Sequence, residues 1–125
     1  MQHSYLDYFV SLAMTRIETF VVTVLMKEKI SVFIITQDAE RTIDQVLEKA
    51  SQIADEIIIV DSGSVDSTLE IAKKYTSKTY HQDWLGYSAQ KNLALSFCNN
   101  EWVLSLDADE VLTDELIEEI KVLEL

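Results

Sequence analysis

Three short segments of the chain are mostly apolar, with many β-branched or aromatic side chains. They span residues 31–36, 56–61 and 102–107. Apolar runs of this length, without alternation between polar and apolar positions, are typical of strands buried on both faces of a parallel sheet. A weaker strand is predicted at residues 78–81. The chain is therefore expected to contain four strands, three of them buried and parallel.

The stretches between these segments carry apolar residues at helical spacing. A last helix is predicted at residues 114–123, with Thr113 as its N-cap. The apolar positions of the three earlier helices are Ile43, Val46, Leu47 and Ala50, then Leu69, Ile71, Ala72 and Tyr75, then Ala89, Leu93 and Phe97. Strands and helices alternate, which predicts an α/β fold of three layers with right-handed crossovers.

The opening segment, residues 1–28, does not fit this alternation. Its apolar residues recur at helical spacing, so we expect a helical appendage that packs on the sheet, ahead of one domain at residues 29–125. Asp7, Arg16 and Glu18 interrupt the segment before any apolar run reaches the length of about 20 residues that a membrane-spanning helix needs. A helix on a membrane surface is less favoured, because the polar side of the segment carries few basic residues.

The composition supports a single folded domain and narrows its partners. Of the 125 residues, 48% are hydrophobic and 26% are charged, proportions that suit a globular chain with its own core. The 22 acidic residues outnumber the 10 basic ones and give a net charge of -12, which argues against nucleic acid as a partner. Cys98 is the only cysteine, so no internal disulfide can form, and a reducing cytoplasm is expected.

Acidic side chains stand where the predicted strands end. Ligands of open parallel sheets bind beyond the carboxyl ends of the strands. Asp107 and Asp109 follow the last strand, and alternate carboxylates supply the hard oxygen ligands that Mg²⁺ or Mn²⁺ requires. Asp61 ends the second strand, where it is placed to accept hydrogen bonds from a base or a sugar. Lys91, on the third helix, is the cation that we expect beside these carboxylates.

Other polar residues near the strand ends have simpler explanations. Ser64, Asp66 and Ser67 are explained by capping of the helix that follows the second strand. His81 and Asp83 have no further histidine nearby and are interpreted as surface residues rather than metal ligands. The sequence contains neither a Gly-x-Ser-x-Gly elbow nor a P-loop, so a serine hydrolase and a P-loop nucleotidase are not supported.

Four motifs follow one another at residues 31–36, 59–68, 84–92 and 104–110. They read SVFIIT, IVDSGSVDST, WLGYSAQKN and LSLDADE. In this order and spacing they resemble the motifs of the family 2 glycosyltransferases of GT-A fold, most closely those of bacterial lipopolysaccharide core glucosyltransferases. The resemblance covers residues 29–125. It implies that this domain is the nucleotide-sugar-binding half of a Rossmann-like GT-A fold with a mostly parallel sheet.

The resemblance also implies a role for each candidate residue. Thr36 and Asp61 would line the nucleoside pocket, and Lys91 would contact the base or the diphosphate. Asp107 would contact the ribose and the metal, and Asp109 the metal. Two departures from the family pattern concern the donor site: the usual proline after the first strand is absent, and lysine replaces the arginine of many relatives at position 91, which weakens any bidentate contact.

The implied reaction is the transfer of a sugar, glucose by the closest resemblance, from a nucleotide such as UDP-glucose to a saccharide or lipopolysaccharide acceptor with inversion. Mg²⁺ or Mn²⁺ would neutralise charge on the leaving diphosphate while a carboxylate base deprotonates the acceptor. Family members carry this base in a following acceptor-binding half. We therefore expect the base beyond Leu125, and impaired transfer by this truncated chain.

The resemblance extends to location and assembly. The expected location is the cytoplasm, with peripheral association at the inner face of the membrane. In the family's sheet, further strands lie beyond the one at residues 102–107. In this chain that strand should therefore be an exposed edge, through which a homo-oligomer can form.

Three alternatives remain open at this point. Residues 106–112 also fit the pattern of haloacid dehalogenase-like phosphatases, with Asp107 as nucleophile and Asp109 as general acid, although that motif normally opens such a fold. A response-regulator receiver is suggested by the chain length and by Asp61, but the acidic pair after the first strand is missing. The third alternative is a nucleotide-binding or interaction fragment without catalytic activity.

Overall fold

The computed structural model describes residues 29–123, in which four strands and four helices alternate. The strands are β1 (Ile30–Thr36), β2 (Glu56–Asp61), β3 (Thr79–His81) and β4 (Trp102–Asp107). The helices are α1 (Ile43–Ala50), α2 (Thr68–Ala72), α3 (Tyr87–Ser96) and α4 (Asp114–Val122). The predicted order of elements is confirmed, whereas the predicted helix within residues 1–28 lies outside the described residues.

All four strands are parallel and lie in the order β3-β2-β1-β4. In the register of the sheet, Thr36 pairs with Asp61 and Ile35 pairs with Asp107. The carboxyl ends of β2, β1 and β4 therefore lie side by side. The chain runs outward from β1 to β3 and then returns to the other side of β1, so the gap between β1 and β4 is the topological switch point at which ligands bind in open α/β sheets.

Helices cover both faces of the sheet, which confirms the three-layer prediction. One face packs against α1, α2 and α4, and the other packs against α3. Side chains alternate between the faces along each strand, as the two-residue period of a strand requires. The strand residues on the first face include Val32, Ile34, Ile57, Ile59 and Leu106, and those on the second face include Phe33, Ile58, Val60 and Val103.

Burial of β4 is lower than the sequence predicts. All six residues of β2 are buried, but in β4 only Leu106 is buried, and Ser105 and Asp107 are exposed. The reason is position in the sheet: within residues 29–123, β4 has β1 as its single neighbour. The prediction from the apolar run, that β4 is buried on both faces, is therefore wrong, whereas the prediction that this strand lies at an edge is confirmed for the described sheet.

The buried face of α3 also differs from the predicted one. Ala89, which we placed on that face, is exposed, and the fully buried residues of the helix are Gln90 and Ala94. An apolar pattern cannot find a buried glutamine, which is why the predicted face is displaced. At the last helix, Thr113 is the N-cap as predicted, and its hydroxyl accepts the backbone N–H of Leu116 at 3.1 Å. Within the described range, no helix combines the length and apolar character needed to cross a bilayer.

Candidate functional site

A cleft of about 730 Å³ opens where β1 and β4 end and α3 begins. Its size lies within the range of pockets that hold small molecules and cofactors. Four of the five candidate residues line it, namely Thr36, Lys91, Asp107 and Asp109. The structure thus brings together residues that are up to 73 positions apart in the sequence.

The fifth candidate, Asp61, lies beneath the cleft and is not part of its lining. Its side chain is 1% exposed. Its carboxylate accepts the hydroxyls of Thr36 and Ser64, both at 2.6 Å, and the backbone N–H groups of Gly63 and Ser64 at 2.9 and 2.8 Å. A carboxylate has about four acceptor positions, so these bonds use them all. Asp61 therefore fixes the end of β2 and the loop after it, and its predicted contact with a ligand stays a prediction.

The ionisation of Asp61 fits this structural role. Burial by itself raises the pKa of the carboxyl, because it penalises the charged form. The hydrogen bonds from Ser64 and Thr36, and then those from the backbone of Ser64 and Gly63, outweigh burial and hold the pKa below its ordinary value. Asp61 is therefore a stable buried anion around neutral pH.

The loops after β1 and β2 are joined by reciprocal hydrogen bonds. The N–H of Asp38 donates to the hydroxyl of Ser64 and the N–H of Val65 donates to the carboxylate of Asp38, both at 2.8 Å. The N–H of Glu40 donates to the carboxylate of Asp66 at 3.2 Å, and Asp66 accepts the N–H of Thr68, the first residue of α2, at 2.9 Å. The carboxylate of Glu40 in turn accepts the N–H of Ser67 at 3.1 Å. The side chains of Asp38, Glu40 and Asp66 thus hold the two loops together, so they do not count as free ligand groups. The capping prediction is wrong for the two serines: Ser67 is the N-cap residue but its side chain makes no capping bond, and the hydroxyl of Ser64 bonds Asp61 and Asp38 instead.

The carboxylates of Asp107 and Asp109 face the cleft, and Lys91 lies beside them. Lys91 Nζ lies 3.5 Å from Asp107 Oδ1, and both side chains are partly exposed. The backbone N–H of Asp107 donates to Glu110 Oε1 at 2.8 Å, and the N–H of Glu110 returns to the carbonyl of Asp107 at 3.0 Å. This tight turn leaves Asp109 exposed at its tip, on the wall of the cleft.

The donor set of this wall fits a divalent cation that is shared with a ligand. Asp107 and Asp109 offer hard carboxylate oxygens, which suit Mg²⁺ and Mn²⁺. Among residues 29–123, no group of three or more His, Cys, Asp or Glu side chains is arranged to hold a metal ion. A complete protein cage is therefore absent from the described part. Two carboxylates are nevertheless enough for Mg²⁺, which usually keeps several waters and takes further oxygens from substrate phosphates.

Four further polar or aromatic side chains line the cleft, and the sequence alone had given none of them a role in binding. Gln37 and Ser62 line it at the strand ends, where the hydroxyl of Ser62 donates to Gln37 Oε1 at 2.5 Å. Trp84 and Tyr87 line it on the side of α3, with ring centroids 4.8 Å apart and ring planes at 88°. The sequence did carry a signal for the aromatic pair: the two residues flank a Leu-Gly dipeptide and fall outside the apolar period of α3.

A second polar cluster lies at the opposite, amino-terminal end of the strands. Glu56 is buried there and accepts Ser31 Oγ and Lys78 Nζ, both at 2.6 Å, and the N–H of Asn99 at 2.8 Å. Burial raises the pKa of Glu56, but the hydrogen bonds from Lys78, Ser31 and Asn99 outweigh it and lower the pKa to about 2. The cluster ties β1 and β2 to the segments before β3 and β4, and it is remote from the cleft.

Comparison with known proteins gives the family. Residues 31–121 match the model of a family described as glycosyl transferase family 2. An uncharacterized glycosyltransferase of Rickettsia conorii is 46% identical over 96 residues, which cover 77% of this chain and 34% of that protein. The lipopolysaccharide core biosynthesis glycosyltransferase LpsC of Rhizobium meliloti is 36% identical over 97 residues, 74% of this chain and 36% of that protein.

A solved structure gives the same result. Staphylococcus aureus TarS, residues 1-349 in complex with UDP-GlcNAc, superposes with a TM-score of 0.60 at 28% identity and covers 74% of this chain and 30% of that chain. The chain thus spans about a third of the length of the relatives it matches. The family match decides against the phosphatase and receiver alternatives. The chain belongs to the family 2 glycosyltransferases and has their GT-A fold.

Proposed function

We propose that this chain binds the nucleotide-sugar donor of a glycosyltransferase, with a UDP-sugar in the cleft at the ends of β1 and β4. The observation that carries the proposal is the convergence of Thr36, Lys91, Asp107 and Asp109 on one cleft in a chain of this family. The structural similarity to TarS in complex with UDP-GlcNAc supports a UDP-sugar as donor.

The two sides of the cleft suit two parts of such a donor, its nucleoside and its diphosphate. On the side of β1 and β2, Thr36 and Ser62 are uncharged, and because their hydroxyl protons are donated to Asp61 and Gln37, their hydroxyl oxygens serve as acceptors. The N–H of a base or the hydroxyls of a ribose can donate to such neutral acceptors. On the side of β4, Lys91 lies beside the two carboxylates of the rim. We therefore assign the nucleoside to the first side and the diphosphate to the second.

The charge of the lining supports dependence on a divalent cation. The charged residues of the lining are Lys91, Asp107 and Asp109, one cation against two anions, so the lining has a net charge of -1. A diphosphate would be repelled from such a wall unless further positive charge were present. Asp107 and Asp109 would hold Mg²⁺ or Mn²⁺, and the bound ion would neutralise the negative charge that develops on the leaving diphosphate.

The complete reaction that we propose is transfer of the sugar, with glucose as first candidate, to a saccharide acceptor of the lipopolysaccharide core, with inversion. The similarity to LpsC supports this class of acceptor. Because the chain matches only about a third of its relatives, we assign acceptor binding and the catalytic base to regions outside the match. The donor and the cation are cytoplasmic solutes, so we place the protein in the cytoplasm, at the inner face of the membrane when its acceptor is a lipid.

Calorimetric titration with UDP tests the proposal. We expect binding in Mg²⁺ or Mn²⁺ and none in EDTA, because the cation compensates the two carboxylates. Asp109→Asn should weaken binding at least about 10-fold, the lower bound for losing even an outer partner of a metal site. Glu70→Gln is the matched control, because Glu70 is an exposed acidic residue of α2, outside the cleft lining.

The possible results separate the parts of the proposal. Failure of the unaltered chain to bind UDP in the presence of either cation would contradict the proposed donor site. Equal affinity in EDTA, or full affinity in Asp109→Asn, would retain a nucleotide site but remove the cation from it. An equal loss in Glu70→Gln would show that overall charge, rather than the position of Asp109, governs binding.

A further inference from the structure

Two large aromatic side chains on the wall of the cleft are exposed without an evident structural reason. Trp84 is 49% exposed and Tyr87 is 72% exposed. Their rings meet edge to face, which is a favourable arrangement for an aromatic pair. Neither ring belongs to the two hydrophobic clusters that hold the helices on the sheet. Packing of the described core therefore does not account for them.

The segment that carries Trp84 is held in place by a buried side chain of α3. Gln90 is fully buried, its Oε1 accepts the N–H of Leu85 at 3.1 Å, and its Nε2 donates to the carbonyl of Gln82 at 2.9 Å. Gly86, with a φ of 98°, turns the chain directly into α3. A buried amide that spends both of its polar groups on the segment from Gln82 to Leu85 fixes the backbone on either side of Trp84.

We propose that Trp84 and Tyr87 form an aromatic wall on which the base of the nucleotide stacks. The proposal rests on the donor site assigned above and extends it to residues with no assigned role. Stacking on an aromatic face is favourable for any base, because every base has a π face.

The arrangement of groups favours the base over the sugar as the occupant. Tyr87 and Lys91 are four residues apart on α3, so they are neighbours on one face of the helix. If a planar group of the ligand stacks on Tyr87, the group bonded to it therefore lies beside Lys91. Lys91 marks the side of the cleft that we assign to the diphosphate. In a nucleotide sugar the base and the sugar lie on opposite sides of the diphosphate. Thr36 and Ser62 occur in the same lining, and their hydroxyl oxygens can accept hydrogen bonds from a base or its ribose.

Fluorescence and calorimetry of the unaltered chain test this wall directly. The chain has two tryptophans, and Trp102 begins β4 at the end of the strand remote from the cleft. We expect UDP and UMP, in saturating Mg²⁺, to quench the tryptophan emission, and inorganic pyrophosphate to leave it unchanged. Trp84→Phe should still bind UDP by calorimetry but lose the quenching, because only Trp102 remains.

Affinity provides a second measurement with its own control. Trp84→Ala should weaken UDP binding by about 5- to 150-fold, the range for removing one base-stacking ring, and leave pyrophosphate binding unchanged. Trp84→Phe should recover most of the UDP affinity. Leu85→Ala is the matched control, because Leu85 is an adjacent exposed apolar residue that does not line the cleft and bonds Gln90 only through its backbone.

The results distinguish this inference from the proposed function. UDP that binds without quenching, or with equal affinity in Trp84→Ala, would overturn the aromatic wall and leave the donor site standing; it would indicate that the rings pack against protein instead. Equal losses for UDP and pyrophosphate in Trp84→Ala would also overturn it, because a stacking residue acts on the base alone. If the unaltered chain binds pyrophosphate but neither UDP nor UMP, the donor site and the wall both fail.

Discussion

Replacing Asp61 by alanine separates a structural role from a role in binding. Its carboxylate is buried and takes four hydrogen bonds, two from hydroxyls and two from backbone N–H groups. Asp61→Ala removes the acceptor of all four hydrogen bonds and does not change any side chain that lines the cleft. We therefore expect the fold to lose stability first, and UDP affinity to fall only as far as the loop after β2 loosens.

The structure sets the size of the effect. The hydroxyl of Ser64 still accepts the N–H of Asp38, so it keeps a partner. The buried hydroxyl of Thr36 and the N–H groups of Gly63 and Ser64 lose their acceptor, and an unpaired buried donor costs about 1 to 3 kcal/mol. Gly63 and Ser64 are half-buried, so water reaches their N–H groups in part, and we expect a loss of about 3 to 5 kcal/mol in the free energy of unfolding. This loss is a large share of the total free energy of unfolding of a domain, which is typically about 5 to 15 kcal/mol.

Asp61→Asn provides the matched comparison. Its remaining oxygen can accept the two backbone N–H groups, and its amide can donate to the two hydroxyls, which can reverse their own roles. The asparagine variant should therefore lose less than half as much stability as the alanine variant. Urea denaturation, followed by circular dichroism, measures both losses, and calorimetry gives the UDP affinity of each folded variant. An alanine variant within about 0.5 kcal/mol of the unaltered chain that no longer binds UDP would refute this reasoning and make Asp61 a direct ligand contact.

Two further predictions concern regions outside the cleft. The pKa of Glu56 is about 2 in the fold, against 4.5 ordinarily, so its stabilising effect is complete above about pH 4.5 and is lost as the pH falls toward 2. In the unaltered chain the free energy of unfolding should fall over this interval, and in Glu56→Gln that fall should be smaller by up to about 3 kcal/mol. Urea titrations at a series of pH values measure the free energy of unfolding of both chains. Equal pH dependence in the two chains would contradict the prediction. At the open edge of the described sheet, we expect β4 to pair with a second copy of the chain, and Ser105→Lys, which adds a charge to an exposed position, should shift a dilution series in light scattering toward monomer. A chain that is monomeric throughout the series would contradict the pairing.

Periodicity predicts best the elements whose burial is complete. In α1, the four apolar positions that the sequence places on one face are the four buried residues of the helix. In β2, an unbroken apolar run corresponds to a strand with every residue buried. β4 has a similar composition but lies at an edge, and local sequence does not state how many neighbours a strand has. Gln90 escaped prediction for a different reason, because its burial depends on two backbone partners eight and five residues before it.

The sequence predicts those residues of the candidate site that lie at the ends of strands. Thr36, Asp107 and Asp109 lie at or just after the ends of neighbouring parallel strands, so the period of the strands and the parallel order suffice to bring them together. Lys91 reaches the same place because α3 crosses the sheet above β1. The same reasoning does not distinguish a side chain that contacts a ligand from one that holds a loop in place. Both kinds are acidic or hydroxylic, and both follow a strand.

Two aspartates that end the strands on either side of β1 show what decides between these uses. Asp61 is followed by Gly63, whose φ of 109° turns two backbone N–H groups back onto the carboxylate, so the side chain is consumed by its own loop. Asp107 is followed by a turn in which the carboxylate of Glu110 takes the N–H of Asp107 instead. Its own carboxylate is thereby left to the cleft, beside Lys91. The nearest acceptor for the turning backbone, rather than the aspartate itself, determines which carboxylate is free for a ligand.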